Sequence, residues 1–226
     1  MSVVSVPVLG GDPWQLVALV NSVPDTWAVE VIHNDHEEPF DCYMLTDVSF
    51  FEPASNLGVA ASWNFHIRTH AADPWWVIAN ADTVLAPGDL DRIVAEMEKP
   101  GPRWVGMNGD WRVMGLNREC IDVVGLFDEN FHPIYCEDAD YERRCNLAGV
   151  PWYHVTGGAT HEGSATIRDP KYAEANARTY PQNRAYYRAK WGVDVRQEGG
   201  FTTPFDRGGS VRDWTLDLSR LRELAW

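Results

Sequence analysis

Trp75-Trp-Val-Ile-Ala-Asn-Ala-Asp-Thr-Val-Leu-Ala-Pro-Gly-Asp-Leu90 carries the clearest structural signal in the chain. Its first five residues are bulky or apolar without alternation, the pattern of a strand buried on both faces. The run stops at Asn80-Ala81-Asp82, so this polar triplet sits at a strand's carboxyl end. Pro87-Gly88 then turns the chain, and Leu90, Ile93, Val94 and Met97 follow at helical spacing, with acids near the start. In an open α/β sheet, ligands bind in the crevice beyond the carboxyl ends of the strands, which makes Asp82 the point where a ligand or metal would be met.

The same punctuation recurs on either side. Residues 2–9 read as a valine-rich strand with Pro7 near its end, followed by glycines and by Asp12-Pro13 as N-cap and first helical residue. No G-x-G-x-x-G pattern accompanies this turn, so it is not a dinucleotide fingerprint. Residues 28–33 form a second strand ending in Asn34-Asp35-His36, where turn chemistry and a ligand role weigh about equally. A third short strand, 48–51, leads to Asn56-Leu-Gly58 and a helix carrying Trp63, Ile67 and His70 on one side. Beyond the opening stretch come a strand at 104–107, a helix at 117–124 closed by Gly125, a helix from about Asp138 to Gly149, and a strand at 150–155. Residues 172–191 read as helical with an interruption at Pro181, and 213–226 as a short amphipathic helix suited to docking on its own domain or on a second subunit. Strand and helix alternate through Met97, which predicts an α/β fold with a mainly parallel sheet rather than a bundle or an all-β fold.

Composition sets the outer bounds. A chain of 226 residues with 45% hydrophobic content can bury one domain's core and an appendage. No run reaches membrane-spanning length, and the first residues lack the basic region of a signal peptide. Cys42, Cys120, Cys136 and Cys145 show no paired metal or redox spacing, which predicts reduced thiols and a cytoplasmic location. A net charge of −14 argues against a general nucleic-acid binder. Residues 168–196 nevertheless hold seven Lys or Arg against three Asp or Glu, a local +4 that would suit an anionic ligand or a solvated helix face.

Four segments in this order resemble family 2 of the inverting glycosyltransferases with the GT-A fold, most strongly its rhamnosyltransferase-like branch. They are Asn56-Leu-Gly58 to Asn64; Asn80-Ala-Asp-Thr83 with Pro87-Gly88; Gly125 to Asp140 with its Phe-Asp-Glu and Glu-Asp-Ala-Asp; and His161-Glu-Gly-Ser164. The likeness runs to about Gly192 and fades in the tail. It implies a GT-A, Rossmann-like catalytic domain over residues 1–168, with a nucleotide-sugar half at about 1–98 and an acceptor half at about 99–168. Residues 169–226 would be a C-terminal helical extension and a candidate homodimer contact.

The resemblance also assigns roles. It makes Asp82 the acid that meets a divalent cation (Mn²⁺ or Mg²⁺) and the donor diphosphate, with His161 completing the metal site. Asn80 stands where many members have Asp, and Ala81 where proline is frequent. Pro7, Asn34, Asp35, Asn56, Gly58, Asn80, Ala81 and Asp82 become donor-binding residues, with Asn34 or Asp35 contacting the base. Some relatives have an arginine at the position of Trp63. Asp138 becomes the catalytic base and Glu137 a group that orients acceptor or base, while Trp111 or Tyr135 could stack on a sugar ring.

The chemistry accounts for these residue types. Breaking the bond from an anomeric carbon to a phosphate oxygen places negative charge on the leaving diphosphate, which a carboxylate-held cation offsets. An acceptor hydroxyl is a poor nucleophile and needs a base. At a helix start, the amino terminus lowers the pKa of Asp138 whereas Glu137 and Asp140 raise it. The expected donor is a UDP-, dTDP- or GDP-sugar. The expected acceptor is a glycan, a lipid-linked glycan or a protein, with DNA disfavoured by the acidity. The alternative from another class is a non-catalytic nucleotide-sugar or glycan binding module that keeps the fold, a reading motivated by Asn80.

Overall fold

The computed structural model describes residues 2–10, 13–35, 48–161 and 170–212, except for the side chains of His161 and Lys171. In chain order the first half comprises β1 (Ser2–Val8), α1 (Pro13–Ser22), β2 (Trp27–His33), β3 (Val48–Phe51), α2 (Gly58–Thr69), β4 (Trp75–Ala79), β5 (Thr83–Val84) and α3 (Asp89–Met97). The second half comprises β6 (Trp104–Met107), β7 (Asp110–Asn117), α4 (Arg118–Val124), α5 (Glu137–Leu147), β8 (Trp152–Val155), β9 (Thr160–His161) and α6 (Pro170–Trp191), followed by a short 3₁₀ turn at Pro204–Asp206.

Seven strands form one sheet in the order β3-β2-β1-β4-β7-β6-β8. The pairs β1/β2, β2/β3, β1/β4 and β6/β8 are parallel, and β7 runs antiparallel to both its neighbours. This is the mainly parallel sheet with flanking helices that the alternating pattern predicts. Alternation along the strands divides the core. Val4, Val6, Val29, Val31 and Val77 meet Leu16 and Leu19 of α1 and Leu90, Ile93 and Met97 of α3 on one face. Trp76, Ile78, Trp104, Met114 and Leu116 meet Trp63 and Ile67 of α2 and residues of α4 and α5 on the other.

Two expectations change. β7, an eight-residue strand inside the sheet between β4 and β6, has no counterpart among the elements expected from the sequence. Asn108 and Gly109, at φ 54° and 76°, make the tight turn that folds it back on β6. Its Gly115 is obligatory in a packing sense, since a Cβ there would lie 2.4 Å from the Met97 sulfur. The helix expected to break at Pro181 instead runs unbroken from Pro170 to Trp191. Contacts beyond the proline hold it in place: Asn183 Nδ2 donates to the carbonyls of Ile134 (2.9 Å) and Tyr135 (3.1 Å), and Tyr186, Tyr187 and Trp191 are buried against Phe131. Those burials offset the roughly 3 kcal/mol that an interior proline costs.

Residues assigned to a C-terminal extension thus share a core with the main body. Lys190 Nζ lies 2.7 Å from both Asp128 Oδ2 and Asp140 Oδ1, and all three side chains are fully buried. Arg144, also fully buried, donates to Asp140 at 2.9 Å, and Trp191 Nε1 donates to Asp140 at 2.8 Å. Burial pushes the Asp140 carboxyl up, but Lys190 and Arg144 outweigh it and hold it below the ordinary value. Asp140 is two residues beyond Asp138, so this network fixes the start of α5 against α6. The expected N-cap Asp12 and the helix expected at 213–226, with its dimer contact, lie outside the described residues.

Candidate active site

A cavity of about 360 Å³ opens at the carboxyl ends of β1, β2 and β4, of a size suited to a small ligand. Pro7 and the residues up to Gly10 form its floor at the end of β1. Gly10 has φ 58°, and a Cβ there would overlap the Tyr172 ring at 2.0–2.5 Å, so the close approach of α6 requires glycine.

The first expected donor residues form a joint between β2 and α2. Asn34 is buried, its Oδ1 accepts from Leu57 N at 2.9 Å, and its Nδ2 donates to Ser62 Oγ at 3.0 Å. Asn56 Oδ1 accepts from Gly58 N at 2.7 Å, which turns the chain into α2. Gly58 has φ 75°, and a Cβ would meet the Pro133 carbonyl at 2.8 Å. Asn34, Asn56 and Gly58 all line the cavity; Asp35 lies behind its wall, buried and accepting a hydrogen bond from the Tyr172 hydroxyl.

Asn80, Ala81 and Asp82 form the next wall. Asn80 N donates to Arg112 O at 2.8 Å, and its own carbonyl accepts from Thr83 N at 3.1 Å, so the triplet turns tightly off β4. Thr83 pairs with His161 across the β5/β9 ladder, which sets the His161 backbone beside the residue that follows Asp82. The His161 side chain lies outside the described residues. Asp89 anchors the approach to β9: fully buried, it accepts from Gly158 N at 3.1 Å.

Glu137 and Asp138 complete the enclosure from the start of α5. Glu137 is buried, and its Oε2 has no hydrogen-bond partner among the described residues. Burial, and then the charge of Asp138, hold its carboxyl well above the usual range. Asp138 is half-buried; burial raises its pKa, and the Ala139 N–H and Arg196 only partly oppose that. The competition at this helix start therefore resolves toward a raised value, through burial rather than neighbouring acids. Trp111 lies over Trp63, with ring centroids 5.9 Å apart and planes within 8°, and both rings line the cavity.

The cavity thus gathers Pro7, Asn34, Asn56, Gly58, Asn80, Ala81, Asp82, Trp111, Glu137 and Asp138, three of them more than 50 residues from the triplet along the chain. α6 and Arg112 are not among the residues that the sequence places at this site. Tyr172, Ala175 and Asn176 of α6 line the cavity although α6 was assigned to an appendage. Arg112 on β7 supplies a cation near Asp82. Its pKa is raised, first by its hydrogen bond to Asp110 and less by the charge of Asp82. The Asn108-Gly109 turn signal would have revealed the strand that carries it.

No family model matches the chain. It is 31% identical over 133 residues to a galactofuranosyl glycosyltransferase of Leishmania donovani, an alignment covering 48% of this chain and 30% of that protein. Among solved structures, GalNAc-T7 with UDP, GalNAc and Mn²⁺ superposes with a TM-score of 0.54 at 13% identity, covering 84% of this chain and 50% of that one. Residues 1–349 of S. aureus TarS superpose at 0.50 and 11%, covering 69% and 58%. The fold is GT-A-like. The chain spans about a third of the length of the curated relative and about half of each solved structure.

Proposed function

We propose that this chain is the catalytic part of an inverting glycosyltransferase of family 2, in its rhamnosyltransferase-like branch, which moves a sugar from a nucleotide-sugar donor to an acceptor hydroxyl. The observation that carries the reading is the convergence of Asn80–Asp82 and Glu137–Asp138 on one cavity at the carboxyl edge of a GT-A-like sheet. The local likeness to a galactofuranosyl glycosyltransferase supports it. In this reading residues 1–98 bind the donor, 99–168 the acceptor, and 169–226 form the extension whose first turns close the donor pocket.

The donor nucleotide, as a UDP-, dTDP- or GDP-sugar, enters at Pro7, Asn34, Asn56 and Gly58, with Asp35 supporting that wall through Tyr172, and its diphosphate reaches Asn80–Asp82. Asp82 and the amide oxygen of Asn80 are hard oxygen donors of the kind Mn²⁺ and Mg²⁺ take together with phosphate oxygens, and His161 would add a nitrogen. A cation bound there would offset the charge that grows on the leaving diphosphate. Arg112 adds positive charge on the same side. Asp138 takes the acceptor proton as the acceptor oxygen bonds to the anomeric carbon from the face opposite the breaking bond to phosphate, so the configuration inverts. A carboxyl held above its usual pKa is a stronger base, and such a group contributes roughly 10²–10⁴-fold. Glu137 receives an acceptor hydroxyl, and Trp111 offers a flat apolar face to a sugar ring.

The acceptor is a glycan, a lipid-linked glycan or a protein. Cys120, Cys136 and Cys145 are free and buried, which supports a cytoplasmic site of action. Among the described residues no helix is long and apolar enough to cross a membrane.

Asn80 motivates one second reading, a binding module without turnover. Incubating the protein with each nucleotide sugar and Mn²⁺ separates the two. Transferase activity predicts slow nucleoside diphosphate release from one donor, whereas binding without any release would establish the module.

A further inference from the structure

We infer that Glu30, His66 and His70 form a zinc site separate from the donor pocket. Glu30 stands on β2 between Val29 and Val31, whose side chains enter the core on one face of the sheet, so the strand's alternation sends its carboxylate to the opposite face, where α2 lies. His66 in the last turn of α2 and His70, which caps the helix four residues on, both turn toward it. One ligand atom from each of the three lies within 4.8 Å of the other two.

Only one of the two His–Glu30 separations is that of a good hydrogen bond. His66 Nδ1 lies 2.8 Å from Glu30 Oε2, but His70 Nε2 lies 3.5 Å from Glu30 Oε1. The second distance is too long for a good hydrogen bond. Ligand atoms held at about 2.0–2.1 Å around a tetrahedral ion stand roughly 3.3 Å apart. Asp73 Oδ2 lies 3.7 Å from His70 Nδ1, outside hydrogen-bond distance but near the nitrogen through which a carboxylate would orient a ligating imidazole.

Two imidazoles and one carboxylate make a set suited to zinc, and less so to Mg²⁺, which prefers oxygen. His66 is 1% exposed and Glu30 14%, whereas His70 at 27% leaves an approach from solvent and a fourth position for water. The cluster lies about 12–18 Å along α2 from Gly58 on the cavity wall. Asn34 already ties β2 to the start of α2, so zinc at the far end would clamp the helix at both ends and hold the wall of the donor pocket.

The test uses the chain of 226 residues, untagged and chelator-treated. Zn²⁺ should raise Tm and saturate at one equivalent, Co²⁺ should give the visible absorption of a nitrogen-ligated tetrahedral ion, and Mg²⁺ should do neither. His70→Ala, at a partly exposed helix end, and Glu30→Gln should each weaken zinc binding more than about tenfold. Their Tm in chelator serves as the folding control. Asp82→Asn should retain the zinc response, which separates this site from any metal at the donor pocket. Absence of a zinc-dependent Tm rise in the parent protein, or an equal rise in His70→Ala, would overturn the assignment.

Discussion

Replacing Lys190 by methionine tests how the extension supports the candidate active site. Asp128, Asp140, Arg144 and Lys190 are all fully buried, and their formal charges balance. Methionine keeps much of the volume but removes the cation that bridges the two carboxylates. Asp140 then keeps Arg144 and Trp191, while Asp128 keeps the Tyr186 hydroxyl at 2.9 Å and the Asn130 amide at 2.7 Å. One negative charge is left uncompensated in the interior. Breaking a buried pair from one side costs about 3–5 kcal/mol. At about 2–4 °C per kcal/mol for a domain of this size, Tm should fall by about 6–20 °C in a thermal melt followed by circular dichroism. Because Asp140 is part of α5, turnover should drop in the surviving folded protein as well. Adding Asp128→Asn to Lys190→Met removes the surplus charge and should restore much of the lost Tm. A Tm loss under about 2 °C for Lys190→Met alone would refute the view that this network fastens α6 to the site.

Two further perturbations follow from the cavity walls. The folded pKa of Glu137 lies well above the ordinary carboxylate value, so over the range between the two the folded chain holds a proton that the unfolded chain has lost, and this group makes stability fall as pH rises through that range. Glu137→Gln should therefore raise the urea midpoint relative to the parent more at pH 8 than at pH 5, and the reverse order would contradict the assignment of a buried, proton-retaining carboxyl. Gly58→Ala places a Cβ 2.8 Å from the Pro133 carbonyl at φ 75°, so it should cost about 1–3 kcal/mol in urea unfolding and weaken donor binding measured by titration calorimetry; an unchanged midpoint would show that the loop relaxes freely.

Much of the architecture was readable because local and global signals agree. The apolar runs at 75–79 and 104–107 end where the strands end, since these are core strands bounded by polar or glycine turns, and the edge strand at 48–51 stops before Glu52-Pro53. Asn80–Asp82 stood out because a polar triplet breaks a buried strand. β7 was lost because Asp110, Arg112 and Gly115 dilute its hydrophobic pattern, while Met97 and Ile93 fill the space above that glycine. With β7 went Arg112. For α6 the sequence shows a helix and its positive charge but not where it docks, since Tyr172 reaches Asp35 across 137 residues and Lys190 reaches Asp128 across 62. Such contacts come from tertiary packing, and local periodicity does not record them. Pro181 misled for a related reason: its local cost is real, but side chains beyond it are anchored by tertiary contacts.

We propose that Asp138 acts as base in a cavity that binds a nucleotide sugar elsewhere on its wall. Turnover and donor affinity measured side by side for Asp138→Asn test it most directly. The account predicts a loss in turnover of roughly 10²–10⁴-fold with donor Kd unchanged. Near-normal turnover in Asp138→Asn, with the donor still bound, would contradict it.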